Sequence, residues 1–207
     1  QDRTVYITIN HANGRIPNLL HLFIVFDSSN GITLLDKHLI QDRTLIGHMT
    51  VPEAFTIAAI PYREINSNGE YIEPIEEWNV ANYSALGGNL PILFSDDGQT
   101  RLQEPIWIAK PDLSGPDNTS TSVEGFGIFS GTSAAASNVT AVAALILQKK
   151  PGLSPQELRE ILQGSAIDLE SEGWDARSGL GLVDAWNVIQ SMSSSSVPFW
   201  EAYKSSR

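Results

Sequence analysis

The 207-residue chain has no cysteine, which excludes disulfides, a thiolate zinc site and a cysteine nucleophile. That absence leaves the compartment open, because a domain of this size can be exported without disulfides. Basic residues are scarce: 13 Lys and Arg stand against 24 Asp and Glu, a formal charge of −11. Nucleic acid and anionic membrane surfaces both need clustered cations, so neither is expected as a partner, and the charge is read as solubility. No apolar run is long enough to span a bilayer. There is no signal peptide and no initiator methionine. The start at Gln1 reads as a processing or fragment boundary, and the missing signal says nothing about export. What is present suits a globular protein with a sizeable core: 42% apolar and 8% aromatic residues.

Residues 1–46 read as β. Val5-Tyr6-Ile7-Thr8-Ile9 is a short β-rich run, Leu20, Leu22, Ile24 and Phe26 alternate along a second, and Ile32 to Leu35 could add a third. Asn13-Gly14 between them favours a turn. His11, His21 and His38 fall in these strands or their turns and are read as surface or strand residues. Phe55 to Ile60 is a compact apolar run of the kind that makes a fully buried strand. Pro61 to Trp78 is polar and acidic, with Asn66-Ser67-Asn68-Gly69 marking a loop. Asp96-Asp97-Gly98 reads as a hairpin turn, since two adjacent carboxylates fall short of the ligands a calcium ion requires.

The chain then changes character abruptly. Glu124 to Gly131 is rich in glycine and aromatics, whereas Ala134 to Leu147 carries no charge and no helix breaker. A serine where such a helix begins, Ser133, stands near unpaired backbone N–H groups and the positive end of the helix dipole. That setting can hold the oxyanion formed when a serine attacks a carbonyl. By residue type alone, an alanine-rich buried helix with an N-capping serine would look the same. The helix from Ser133 to Gln148 is apolar on every side, which predicts burial all round. Lys149 and Lys150 close it and Pro151-Gly152 stop it. Ser154 and Glu157 form a capping box with Pro155 at the first helical position, and Leu158, Ile161 and Leu162 line one face up to Gly164. Ala185 to Ile189 forms a last helix, and a serine-rich stretch from Ser191 leads into a tail with Trp200 and Tyr203.

Gly131-Thr132-Ser133-Ala134-Ala135-Ala136-Ser137-Asn138-Val139 resembles the nucleophile segment of subtilisin-like serine peptidases, Gly-Thr-Ser-x-Ala-Ala-Pro-His-Val. The match departs at Ser137, where proline is usual, and at Asn138, where histidine is usual. Lys110-Pro111-Asp112-Leu113-Ser114-Gly115-Pro116-Asp117 resembles the family's Lys-Pro-Asp-Val-x-Ala-Pro-Gly, with Gly115 for alanine and Asp117 for glycine. Gly47 to Ile60, Ala81 to Gly88, Ala166 to Asp168, Gly173 to Asp175 and Gly179 to Ala185 follow other family segments.

The resemblance covers residues 47–190 and implies an α/β fold: a subtilisin-like, mostly parallel sheet with helices on both faces, the Ser133 helix at its centre. It implies that 1–46 is the β-rich end of an inserted sandwich domain; residues 191–207, which it does not cover, read by composition as a serine-rich linker and tail. Ser133 would be the nucleophile, with Gly131 and Thr132 against a protein or peptide substrate. The triad histidine and aspartate and the oxyanion asparagine would come from an N-terminal half outside this chain, leaving the chain inert alone. His48 is not taken as the base, because it lacks the His-Gly-Thr context. No cofactor is implied, with a structural calcium ion left open, and a secreted or cell-envelope location is. The alternative is a catalytically inactive scaffold or binding module, to which Ser137, Asn138 and the missing half lend weight. Asn82-Tyr83-Ser84, Asn118-Thr119-Ser120 and Asn138-Val139-Thr140 fit the glycosylation pattern, the last inside the predicted helix and therefore unused.

Overall fold

Two short buried strands build the centre of the structure, a computed structural model that describes residues 12–14, 44–61 and 78–192. Strand β1 (Ile57–Pro61) pairs in parallel with β4 (Leu113–Asp117), in register from Ile57 opposite Leu113 to Pro61 opposite Asp117. Leu182 adds a third parallel segment: Ser114 N–H donates to Gly181 O at 2.8 Å and Val183 N–H to Ser114 O at 3.0 Å. On the far side of β1, Ala81 N–H donates to Ala59 O at 2.8 Å.

The chain divides into two units, Gln1–Leu39 and Ile40–Arg207, and every strand and helix described belongs to the second. In the first, Asn13 and Gly14 form a bend with Gly14 at φ 86°, as an Asn-Gly turn requires. The strands expected at Val5–Ile9, Leu20–Phe26 and Ile32–Leu35, the 66–69 loop and the tail beyond Met192 lie outside the described residues.

Strands β2 (Gly88–Phe94) and β3 (Arg101–Lys110) form the expected antiparallel hairpin. Its turn is closed by Asp97, whose Oδ1 accepts from Ser95 Oγ at 2.6 Å and Gln99 N–H at 2.9 Å. A short ribbon, β5 (Thr119–Ser120) with β6 (Ile128–Phe129), leads into helix α1 (Thr132–Lys149). Helix α2 (Pro155–Gly164) starts on the predicted capping box: Glu157 N–H donates to Ser154 Oγ at 3.3 Å and Ser154 N–H to Glu157 Oε2 at 2.8 Å. Helix α3 (Ala185–Ser191) is capped by Asp184, which accepts from Asn187 N–H at 2.9 Å.

Strand alternation sorts the core onto two faces. Leu113 and Val183 point to the face where Val139 and Ile146 of α1, Leu162 of α2 and Val188 of α3 pack. Ala59 on the same side meets Ala135 of α1. Ala58, Ile60 and Leu182 point the other way and are covered by Trp78, Val80 and Leu169 from loops.

Helix α1 corrects one expectation. Its uncharged sequence predicts burial on all sides, yet only Ala134, Ala135, Val139 and Ile146 are fully buried, and Leu145 and Leu147 are more than a third exposed. The cause is geometric. The described sheet and the two following helices cover one flank of α1, and no described element lies on the other.

Candidate active site

Ser133 occupies the first turn of α1 and is exposed, between half-buried Thr132 and buried Ala134. The three residues expected to form the site, Gly131, Thr132 and Ser133, are thus consecutive at a helix mouth. Gly131 caps the helix with φ 100° and ψ 171°, angles that only glycine adopts readily. Its carbonyl accepts from Ala134 N–H at 2.9 Å and Ala135 N–H at 3.3 Å. The N–H groups of Thr132 and Ser133 take no partner among the described residues. They are among the orphan donors that the start of any helix presents, in the same turn as Ser133.

Three tethers join the end of β4 to this helix mouth. Gly115 lies so close to α1 that a Cβ there would come within 2.7 Å of both Ala135 O and Val139 Cγ2, which explains why glycine replaces the usual alanine. Asn138, standing where histidine is usual, donates from Nδ2 to Pro116 O at 2.9 Å. The amide spoken for in this way sits half-buried within the helix, which agrees with reading its glycosylation pattern as unused. Asp117, fully buried at the strand end, accepts from Asn118 N–H at 2.5 Å and Gly131 N–H at 2.6 Å, both on Oδ1. Asn118 sits at φ 55°, a left-handed turn that asparagine tolerates better than most residues.

The Lys-Pro-Asp end of β4 is a separate cluster. Asp112 receives the Lys110 ammonium at 2.8 Å, the Arg159 guanidinium at 2.5 Å and Thr56 N–H at 2.7 Å. Lys110 also donates to Ala54 O, and Arg159 lies 5.0 Å over the Phe55 ring and donates to Glu53 O at 2.9 Å. Trp174 Nε1 donates to Pro111 O at 2.8 Å. The Lys-Pro-Asp motif is therefore a buried ionic rivet between the residue before β1, the end of β3 and α2.

Sequence reasoning missed Asp117 and Arg159 as organising residues. Asp117 shows only as a carboxylate in place of glycine, and nothing local links Arg159 to a partner 47 residues away. His48 lies exposed in a 3-10 turn, Gly47–Thr50, whose neighbour Met49 accepts from Thr56 Oγ1 at 2.7 Å. The segment ahead of the serine exposes Val123, Phe126 and, in β6, Ile128, with Phe126 edge-on to Phe129 at 6.2 Å. Two cavities of about 280 Å³, one bordered by Lys150 and Met192 and the other by Thr44 and Arg177, are not lined by Gly131, Thr132 or Ser133.

Fervidolysin of Fervidobacterium pennivorans is 43% identical over 62 residues, covering 30% of this chain and 9% of that protein. The autotransporter lipoprotein NalP of Neisseria meningitidis serogroup B is 44% identical over 59 residues, 28% of this chain and 6% of NalP. Among solved structures, the CspB protease of Clostridium perfringens aligns over 70% of this chain and 29% of its own at 21% identity, with a TM-score of 0.44. The chain thus spans less than a tenth of these two sequence relatives. A sequence profile described as the subtilase family matches residues 66–181, more than half of the chain, and takes in both Lys110-Pro111-Asp112 and Gly131-Thr132-Ser133. On that match the chain belongs to the subtilase family of serine peptidases.

Proposed function

We propose that Ser133 is the nucleophile of a serine endopeptidase. The observation that carries this reading is an exposed serine in the first turn of α1, where the N–H groups of Thr132 and Ser133 have no partner among the described residues. Ser133 Oγ adds to the carbonyl carbon of a peptide bond while a histidine takes its proton. The carbonyl oxygen becomes an oxyanion held by the Ser133 N–H and an asparagine side chain. Collapse breaks the C–N bond, the imidazolium returns the proton to the leaving amine, and water repeats the sequence on the acyl-enzyme. Gly131 and Thr132 border the bound peptide. The histidine, its aspartate and the asparagine come from a preceding part of the same protein or from a partner chain, because the His-Gly-Thr segment the mechanism calls for is absent from this sequence. Without them the chain is inert.

The substrates are proteins or peptides. A secreted or cell-envelope location is part of the same proposal, supported by the similarity to an autotransporter lipoprotein.

The test is fluorophosphonate labelling of the full-length protein that carries this chain, wild type beside Ser133→Ala. Labelling is expected in the wild type only. In subtilisin, loss of the serine or of the histidine lowers kcat about 10⁶-fold, a figure that belongs to that enzyme and sets the scale here. Equal labelling of the two proteins, or none of the wild type, would favour an inactive scaffold.

A further inference from the structure

Asp117 stands where the family pattern has glycine, and it is completely buried. Its place is fixed by the sheet, since it pairs with Pro61 at the end of β4. One oxygen, Oδ1, accepts the N–H of Asn118 and, 2.6 Å away, the N–H of Gly131. The other, Oδ2, is the single buried side-chain N or O atom without a partner among the described residues. Burying a carboxylate oxygen unpaired costs free energy, so the arrangement needs a compensating role.

Gly131 supplies the other half of the argument. It lies two residues ahead of Ser133 at φ 100°, a conformation reached by the residue type least able to hold itself there. Its carbonyl is gripped by the helix through Ala134 and Ala135, and its N–H is gripped only by Asp117. The other two tethers, Asn138 on Pro116 and the close packing of Gly115, act on α1 beyond the serine. Ahead of the serine, the β5–β6 pairing holds the backbone as far as Phe129, and Asp117 holds Gly131 itself.

We infer that Asp117 is a positioning residue: its Oδ1 clamps the Gly131 N–H and thereby sets the Ser133 hydroxyl and N–H in attack geometry. This rests on the peptidase reading. A shift of about 1 Å at a reacting group lowers rate on the order of 10²-fold, which sets the expected effect.

The experiment compares Asp117→Ala and Asp117→Asn in the full-length protein, with rates normalised to folded sites by titration. Asp117→Ala is expected to lower kcat about 10- to 100-fold with KM within a factor of about two. Asp117→Asn keeps the Oδ1 acceptor and replaces only the unpartnered atom, so it should stay within about threefold of wild type. Amide exchange of the segment around Gly131, read by mass spectrometry, should speed up in the alanine variant and not in the asparagine variant. Should Asp117→Ala fail to fold, Asp117→Gly carries the same expectations.

Unchanged kcat in the alanine or glycine variant, unchanged exchange there, or an asparagine variant as slow as alanine, would overturn the inference. Failure of the peptidase reading looks different. Ser133→Ala would then label like wild type, while exchange at Gly131 would still report whether Asp117 holds it.

Discussion

Strand β4 has a buried carboxylate at each side, and the two are satisfied in opposite ways. Asp112, just before the strand, faces two cations and a backbone amide, with partners on both oxygens. Asp117, at its end, faces two backbone amides on one oxygen and, among the described residues, no partner on the other. The first carboxylate joins the end of β3, the residue before β1 and α2. The second holds a single glycine ahead of Ser133. A fully paired ionic group serves the fold, whereas a half-paired one at a helix mouth serves geometry that the fold does not need for itself. Breaking each in turn should therefore separate stability from rate.

The largest stability effect falls at Asp112. Asp112→Ala leaves the Lys110 ammonium, 2% exposed, without its counter-charge in the interior. Removing one partner of a buried pair costs about 3–5 kcal/mol, and urea unfolding should show a loss of that size. Activity per folded site should hold steady, the reverse of the pattern expected at Asp117. A fall in kcat beyond about threefold would erase the division of labour.

Arg159→Ala comes next. Arg159 is 19% exposed, and Asp112 keeps Lys110 and Thr56 N–H in its absence. A hydrogen bond to a charged group is worth about 1.5–3 kcal/mol, so the loss should be smaller than at Asp112. Because the two groups touch, their effects should not add, and a double-mutant cycle by urea unfolding measures the coupling. Strict additivity would show that the Arg159 contact contributes nothing.

Local chemistry was legible in the sequence, and long-range chemistry was not. Ser154-Pro155-Gln156-Glu157 announces a helix start because the capping partners lie three residues apart, and Asp97 closes a turn against Ser95 and Gln99 for the same reason. Gly131-Thr132-Ser133 could be placed at a helix mouth because a loop composition meets an uncharged run there. The exposed flank of α1 could not be foreseen, since an apolar sequence records what a helix can bury against and not which element lies beside it. Arg159 reads as a polar position on an amphipathic helix until the fold carries Asp112 to it. Asp117 appears only as a departure from a pattern, because its meaning depends on a glycine 14 residues later and on the turn at Asn118.

The smallest effect sharpens the contrast by placing a carboxylate in solvent. Glu157 is fully exposed, and its carboxyl is held below its ordinary value of 4.5 first by the Ser154 hydroxyl and then by the Ser154 N–H. A group whose folded pKa is depressed adds stability above its unfolded value and loses it as pH falls through the folded one. Ser154→Ala should cost about 1 kcal/mol at neutral pH, the usual scale for an N-cap serine. It also removes the larger cause of the depression, so the gap between wild type and variant should narrow as pH drops below 4.5. Thermal melts of both proteins across the acid range measure that narrowing. A gap that stayed constant would assign the whole effect to the hydroxyl–backbone bond and none to the carboxylate.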